Sequence, residues 1–116
     1  MFHILVVDDD RNTRRYMRAV LEAADYTVSE AADGVEALKM MEKEYVDLVV
    51  LDIMMPEMDG YEFTETLRSV QNNLPILMVS ARQLSEDRKK GFRAGIDDYM
   101  PKPVDMEELV LRIQAL

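Results

Sequence analysis

Acidic side chains close two of the most apolar runs in this chain, and a hydroxyl and an ammonium follow two others. Asp8 and Asp9 end Ile4-Leu5-Val6-Val7, Asp52 ends Leu48-Val49-Val50-Leu51, Ser80 ends Ile76-Leu77-Met78-Val79, and Lys102 follows Tyr99-Met100-Pro101. Three carboxylates brought within a few ångströms repel one another, so their protonation shifts upward unless a cation neutralises them. Oxygen donors without His or Cys favour the hard ions Mg²⁺ or Mn²⁺ over zinc, and Mg²⁺ leaves coordination positions for water or a substrate phosphate. A carboxylate in such a pocket can be the nucleophile in phosphoryl transfer, provided cationic groups stabilise the charge in transit. Lys102 can supply an ammonium and Ser80 a neutral hydrogen bond. Singly, each residue has a plainer use. Carboxylates before a helix, such as Asp8, Asp9 and Asp10, serve as caps; a serine before a helix is ordinary turn chemistry, and most lysines are solvated. Asp52 is harder to dismiss, because a charge ending an apolar run is costly unless solvated or paired.

The elements that must position these side chains are legible as an alternation. Apolar runs predict strands at Phe2 to Val7, Tyr26 to Glu30, Asp47 to Leu51, Pro75 to Val79 and Asp97 to Met100, several of them unbroken, as in strands covered on both faces. Tyr26 to Glu30 is the least apolar and suits an edge. Helical patterns lie between. Met17, Val20, Leu21 and Ala24 make an i, i+3, i+4, i+7 stripe, and Met106, Leu109, Val110 and Ile113 repeat the spacing. Asp33-Gly34, Asp59-Gly60 and Ser85 mark the starts of the middle helices. Five βα units in sequence imply an α/β fold with a doubly wound five-stranded parallel sheet. Loops at the carboxyl ends of such strands build the ligand site, which predicts one acidic pocket facing Lys102.

Composition bounds the rest. The 116 residues fit one domain, and its last helical pattern runs uncapped to Leu116, so residues 1–116 are expected to be the amino-terminal part of a longer protein. With 14 basic and 23 acidic residues the net charge is -9, the wrong sign for gripping nucleic acid or anionic lipid directly. The absence of cysteine rules out disulfides and thiolate metal sites, and no apolar run approaches the ~20 residues of a membrane span. Ile4 to Val7 lacks the basic flank and cleavage site of a signal peptide, so a cytoplasmic domain is expected. His3 stands alone, with no partner in sequence to make it a ligand or donor.

At this point the residues match a family. The run Ile4 to Asp10, the run Leu48-Val49-Val50-Leu51-Asp52-Ile53-Met54-Met55-Pro56-Glu57-Met58-Asp59-Gly60, the pair Ser80-Ala81, and Gly95-Ile96-Asp97-Asp98-Tyr99-Met100-Pro101-Lys102-Pro103 resemble the receiver domain of two-component response regulators, in order and over the whole chain. The resemblance implies a flavodoxin-like (βα)5 fold with strand order 2-1-3-4-5. It implies that Asp52 accepts a phosphoryl group from a histidine of a sensor kinase. Asp9, Asp52 and the backbone carbonyl of Met54 would hold Mg²⁺ directly, and Asp8 mainly through water. Lys102 would pair with phosphorylated Asp52, Ser80 would hydrogen-bond a phosphoryl oxygen, and Tyr99 would turn inward with Ser80. The Lys102-Pro103 peptide is often cis in the family. Ser80 stands where threonine is more usual, Pro101 where a hydrogen-bonding residue is, and Val104 where phenylalanine is frequent. Met54 and Arg82, two positions beyond Asp52 and Ser80, are expected to tune hydrolysis.

The fourth helix, fifth strand and fifth helix carry Arg88, Asp97, Asp98, Glu108 and Arg112. In the winged-helix DNA-binding subfamily this pattern resembles a dimerisation face, with Arg88 pairing Glu108 and Asp98 pairing Arg112 across a twofold axis. Glu108 and Arg112 are equally an i, i+4 pair within one helix. DNA would be met only through a domain absent from this chain, with no membrane contact. Arg11, Arg14, Arg15 and Arg18 form a basic stripe on the first helix, read either as a solvated face or as a kinase-docking surface. Three alternatives stay open: a stand-alone receiver acting by protein contact, a Mg²⁺-dependent phosphohydrolase, and a flavin-binding electron carrier. The second lacks length for a substrate cap, and the third lacks a phosphate cradle in its first βα loop.

Overall fold

The computed structural model describes residues 1–55, 57–70, 73–81 and 84–116. Five strands alternate with five helices: β1 (His3–Val7), α1 (Arg11–Ala23), β2 (Thr27–Ala31), α2 (Gly34–Lys43), β3 (Leu48–Asp52), α3 (Gly60–Ser69), β4 (Ile76–Ser80), α4 (Ser85–Ala94), β5 (Asp98–Pro101) and α5 (Met106–Ala115). The strands form one parallel sheet in the order β2-β1-β3-β4-β5, the order that the resemblance implies. The polar β2 lies at an edge, as its composition predicts.

Strand alternation divides the core into two layers. Leu5, Val7, Val49, Leu51, Ile76 and Met78 face α2 and α3 through Ala37, Tyr61, Phe63 and Leu67. Ile4, Val6, Leu48, Val50, Leu77 and Val79 face the other way, onto Met17 and Leu21 of α1 and Leu109 and Ile113 of α5. Both predicted apolar stripes therefore supply core, through Met17 and Leu21 and through Leu109 and Ile113. None of the helices among the described residues is long and apolar enough to cross a membrane.

Two expectations about element ends need correction. All five strands begin one residue later than the apolar runs suggest, and all but β1, which ends at Val7 as expected, reach one residue further. Asp52 and Ser80 belong to the strands rather than following them. The parallel ladder pairs Asp52 with Val79 and Ser80 with Pro101, and the Lys102 amide donates to the Ser80 carbonyl at 2.8 Å. Backbone pairing is indifferent to side-chain polarity, so an apolar run underestimates where a ladder stops. Ser85 is also not a cap. Leu84 occupies that position and its carbonyl accepts from the amides of Asp87 and Arg88 at 3.0 and 3.3 Å, which makes Ser85 the first helical residue. The aspartates do cap: Asp33, Asp59 and Asp105 accept from the amides of Glu36, Glu62 and Glu108 at 2.8, 2.9 and 3.1 Å.

His3 is less isolated than the sequence suggests. Its imidazole lies 2.8 Å from the Tyr45 carbonyl and 2.7 Å from Ser29 Oγ, joining β1 to β2 and to the loop that follows α2.

Candidate functional site

Asp8, Asp9, Asp52, Ser80 and Lys102 converge at the carboxyl ends of β1, β3, β4 and β5, as predicted from the order of elements. Asp8, Asp9 and Asp52 each place a carboxylate oxygen within 4.8 Å of the others, a donor set of three hard oxygens. The three consecutive aspartates have divided their roles. Asp10 caps α1 through the Asn12 amide, and Asp8 turns inward, 1% exposed, accepting from the Asp10 amide at 2.9 Å. Asp9 is exposed and faces the pocket mouth.

Lys102 closes the pocket from β5. Its Nζ donates to Asp8 Oδ2 at 2.8 Å and lies 3.3 Å from Asp52 Oδ2, so one ammonium bridges two buried carboxylates. Its peptide bond to Pro103 is cis. Burial, then the nearby Asp8 carboxylate, push the Asp52 carboxyl above its ordinary range, and Lys102 only partly offsets them. Burial alone would lower the Lys102 ammonium, but the hydrogen bond to Asp8 and the Asp52 charge outweigh it and raise it. One cation does not balance three acids. That residual negative charge is the feature a divalent ion fits.

The Met54 amide donates to Asp52 Oδ1 at 3.3 Å, so the loop after β3 folds back on its own acid. Gly60 makes this return possible. A Cβ there would lie 2.7 Å from the Asp52 carbonyl oxygen and 2.9 Å from Ile53 Cα, so α3 starts where only glycine fits. Beside the acids an open groove of about 550 Å³ is lined by Asp9, Met54, Met55, Tyr61 and Lys90, with the Lys90 ammonium 4.5 Å from the centre of the Tyr61 ring. Ser80 is fully buried at the end of β4, and Tyr99 is buried in the core layer that holds Met78 and Ile96. Arg82 and Pro56 lie outside the described residues.

Within the chain the charged residues of this face pair locally. Arg112 donates to both oxygens of Asp98 at 2.9 Å and to Glu108 at 3.1 Å, all within one chain. Asp97 faces Arg68, whose guanidinium also donates to the Gly95 and Leu74 carbonyls. Arg88 is exposed on α4. The basic stripe of α1 splits as well. Arg11 and Arg15 are exposed, whereas Arg14 turns inward to the Asp8 carbonyl at 2.6 Å and Arg18 pairs with Glu30 and Glu22. Neither Arg14 nor Arg68 is distinguished in the sequence, although Arg14 lies one helical turn beyond the acidic loop.

The fold and site together define an open, doubly wound α/β domain with a pocket of three carboxylates and one lysine at its strand ends. Residues 4–114 match the family model described as response regulator receiver domain, and the chain belongs to that family. It is 50% identical over 113 residues, 97% of its length, to the response regulators MprA of Mycobacterium ulcerans and Mycobacterium leprae. It spans about half the length of these curated relatives, 49% and 50%. Among solved structures, the receiver domain of the Francisella response regulator 1452 superposes with a TM-score of 0.95 at 32% identity, covering 99% of this chain and 95% of that one. The chemotaxis protein CheY4 of Vibrio cholerae superposes at 0.93 with 33% identity, covering 99% and 98%. The chain is thus a receiver domain of two-component signalling.

Proposed function

We propose that this receiver accepts a phosphoryl group on Asp52 from a phosphohistidine of a sensor kinase. An Asp52 carboxylate oxygen attacks phosphorus, the nitrogen–phosphorus bond breaks, and the imidazole leaves. Asp9, Asp52 and the Met54 carbonyl would hold Mg²⁺, or Mn²⁺ in its place, with Asp8 acting mainly through water. That last assignment is supported by the Asp8 carboxylate being occupied on both oxygens, by the Asp10 amide and by Lys102. When bound, the ion neutralises charge on the group in transit. The observation that carries the reading is the Lys102 ammonium shared between Asp8 and Asp52 inside a three-carboxylate pocket.

A phosphoryl group on Asp52 adds roughly -1.5 to -2 charge where Lys102 and Ser80 converge, and draws both toward it. Ser80 hydrogen-bonds a phosphoryl oxygen, the buried Tyr99 follows, and the change reaches the α4-β5-α5 face. Met54 and Arg82 set how fast the group is lost. The domain supports its own phosphorylation and dephosphorylation, and works in the cytoplasm beside its kinase.

Residues 1–116 form the amino-terminal, regulatory part of a longer protein whose other domain binds DNA and controls transcription. The doubled length of the MprA relatives supports this. A homodimer through Arg88, Asp97, Asp98, Glu108 and Arg112 would exchange the internal Asp98–Arg112 pair for its intermolecular counterpart. Intact mass after treatment with acetyl phosphate, with and without Mg²⁺, tests the acceptor. One Mg²⁺-dependent phosphoryl adduct, absent from Asp52→Ala, is expected; no adduct beside a working control receiver overturns the reading.

A further inference from the structure

The first helix turns one arginine back onto the loop that carries the acidic pair. Arg14 is mostly buried, its side chain 14% exposed. Its Nη1 donates to the Asp8 backbone carbonyl at 2.6 Å, and its Nε donates to Glu30 Oε1 on β2 at 3.3 Å. The second oxygen of Glu30 accepts from Arg18 Nη1 at 3.1 Å. Both arginines hold Glu30, but only Arg14 reaches the loop between β1 and α1.

We propose that Arg14 is a positioning residue of the cation site, fixing the Asp8–Asp9 peptide so that both carboxylates are presented to a divalent metal. The inference rests on the reading that this trio binds Mg²⁺. A peptide group is planar, so the Asp8 carbonyl and the Asp9 amide turn as one unit, and that turn sets where both side chains point. Asp8 has other anchors: its amide donates to the Ala31 carbonyl at 3.1 Å, and its carboxylate holds the Asp10 amide and Lys102. Asp9 has none. Among the described residues its carboxylate accepts no hydrogen bond, so the backbone aims it, gripped by Arg14 at the Asp8 carbonyl before it and by the Asp8 carboxylate at the Asp10 amide after it.

The job suits arginine specifically. A rigid fork of donors can hold a carbonyl and a carboxylate at once, whereas a lysine ammonium on a flexible stem offers no such pre-set geometry. Glu30 completes the device by fixing the guanidinium from the neighbouring strand, where it is paired in register with Val6 of β1. The edge strand thereby contributes to a metal site that it does not line.

The direction of the effect separates positioning from simple charge. As a point charge, Arg14 repels a dication, so neutralising it would tighten Mg²⁺ binding. As a positioning residue, its loss must weaken binding, and loss of such outer partners typically costs about 10–100-fold in metal affinity. A merely structural arginine would lower stability equally with and without Mg²⁺ and leave affinity unchanged.

The experiment is a calorimetric Mg²⁺ titration of the chain and of Arg14→Gln, Arg14→Lys, Glu30→Gln and Arg18→Gln, each also unfolded in urea with EDTA to show that it is folded. Arg14→Gln and Arg14→Lys are expected to bind Mg²⁺ at least about tenfold more weakly, and Glu30→Gln to lose a smaller share. Arg18→Gln, on the same helix and the same glutamate, should stay within about twofold of the wild type, because it does not touch the loop. Should Arg14→Gln not fold, Arg14→Lys and Glu30→Gln decide. Wild-type affinity in the Arg14 variants, or tighter binding, overturns the positioning role while leaving the metal site intact. A wild type that does not bind Mg²⁺ overturns the proposed function, and this inference with it.

Discussion

Replacing Asp52 by asparagine should stabilise the metal-free protein, although it removes the proposed acceptor. Asp52 is only 5% exposed, and its charge has three neighbours. The Lys102 ammonium at 3.3 Å attracts it by about 5 kcal/mol at an effective dielectric near 20. Asp8, within 4.8 Å, repels it by about 3.5 kcal/mol on the same footing. Asp9 is exposed, and in water at that separation its repulsion is about 1 kcal/mol. The pair terms nearly cancel, which leaves the cost of burying the carboxylate, several kcal/mol for a buried ion. Asparagine keeps the shape and an oxygen for the Met54 amide, places its NH₂ on the side of Lys102, whose ammonium keeps Asp8, and removes the charge. Part of the burial cost remains for its amide, so a gain of about 1–2 kcal/mol is expected in EDTA at pH 7.

Urea unfolding followed by far-ultraviolet circular dichroism would read this as a higher midpoint at unchanged slope. The sign with pH follows from the raised Asp52 carboxyl. A carboxyl that binds its proton more tightly when folded than when unfolded costs stability at high pH, and that cost disappears as pH falls through the raised folded value toward 3.8. The gap between variant and wild type should therefore close on acidification. Mg²⁺ should close it at pH 7 as well, since tenfold excess over the dissociation constant stabilises the wild type by about 1.4 kcal/mol and the variant less. A variant less stable than wild type by about 1 kcal/mol or more in EDTA would mean that the Lys102 pair outweighs burial and repulsion, and would refute the reasoning.

Three further substitutions probe the supports of the site. Lys102→Ala strands two buried carboxylates and should cost about 3 kcal/mol in EDTA, with much of the loss restored by Mg²⁺ in the same urea assay. Gly60→Ala places a methyl 2.7 Å from the Asp52 carbonyl oxygen; it should cost about 1–3 kcal/mol and slow adduct formation by acetyl phosphate, read by intact mass. Arg68→Ala leaves the Gly95 and Leu74 carbonyls without its guanidinium and should cost about 1–3 kcal/mol, with faster amide hydrogen exchange at the end of α4, while Mg²⁺ affinity holds.

The parts of this molecule readable from sequence are those fixed by pattern and order. Unbroken apolar runs such as Ile4 to Val7 could only be strands covered on both faces, and five βα units brought Asp8, Asp9, Asp52 and Lys102 to one edge. Contacts that depend on tertiary approach were not readable. Arg14 has the same sequence setting as its exposed neighbours Arg11 and Arg15, and it is the passage of β2 beside β1 that supplies Glu30 and draws it inward. Gly60 reads as a helix start, but its reason for being glycine is the Asp52 backbone, eight residues earlier and folded onto it. The strand ends shifted by one residue because hydrogen-bond ladders continue through Asp52 and Ser80, where apolarity stops. Charge on the α4-β5-α5 face and the Glu108–Arg112 pair within α5 were visible, but the Asp98–Arg112 pair was not, since those two meet only once β5 and α5 pack together.

The far edge of the sheet carries one more consequence. β5 is an edge strand of four residues, and it ends in an exposed proline that has no amide hydrogen to offer. Short edges interrupted by proline resist the ladder extension through which sheets recruit strands from other molecules and aggregate. Two copies meeting at this edge would find little backbone to share. Their association would rest on side-chain charge, which salt weakens and which a small rearrangement can make or undo. An edge closed to backbone pairing would keep such a contact reversible and favours a domain that stays dispersed at high concentration.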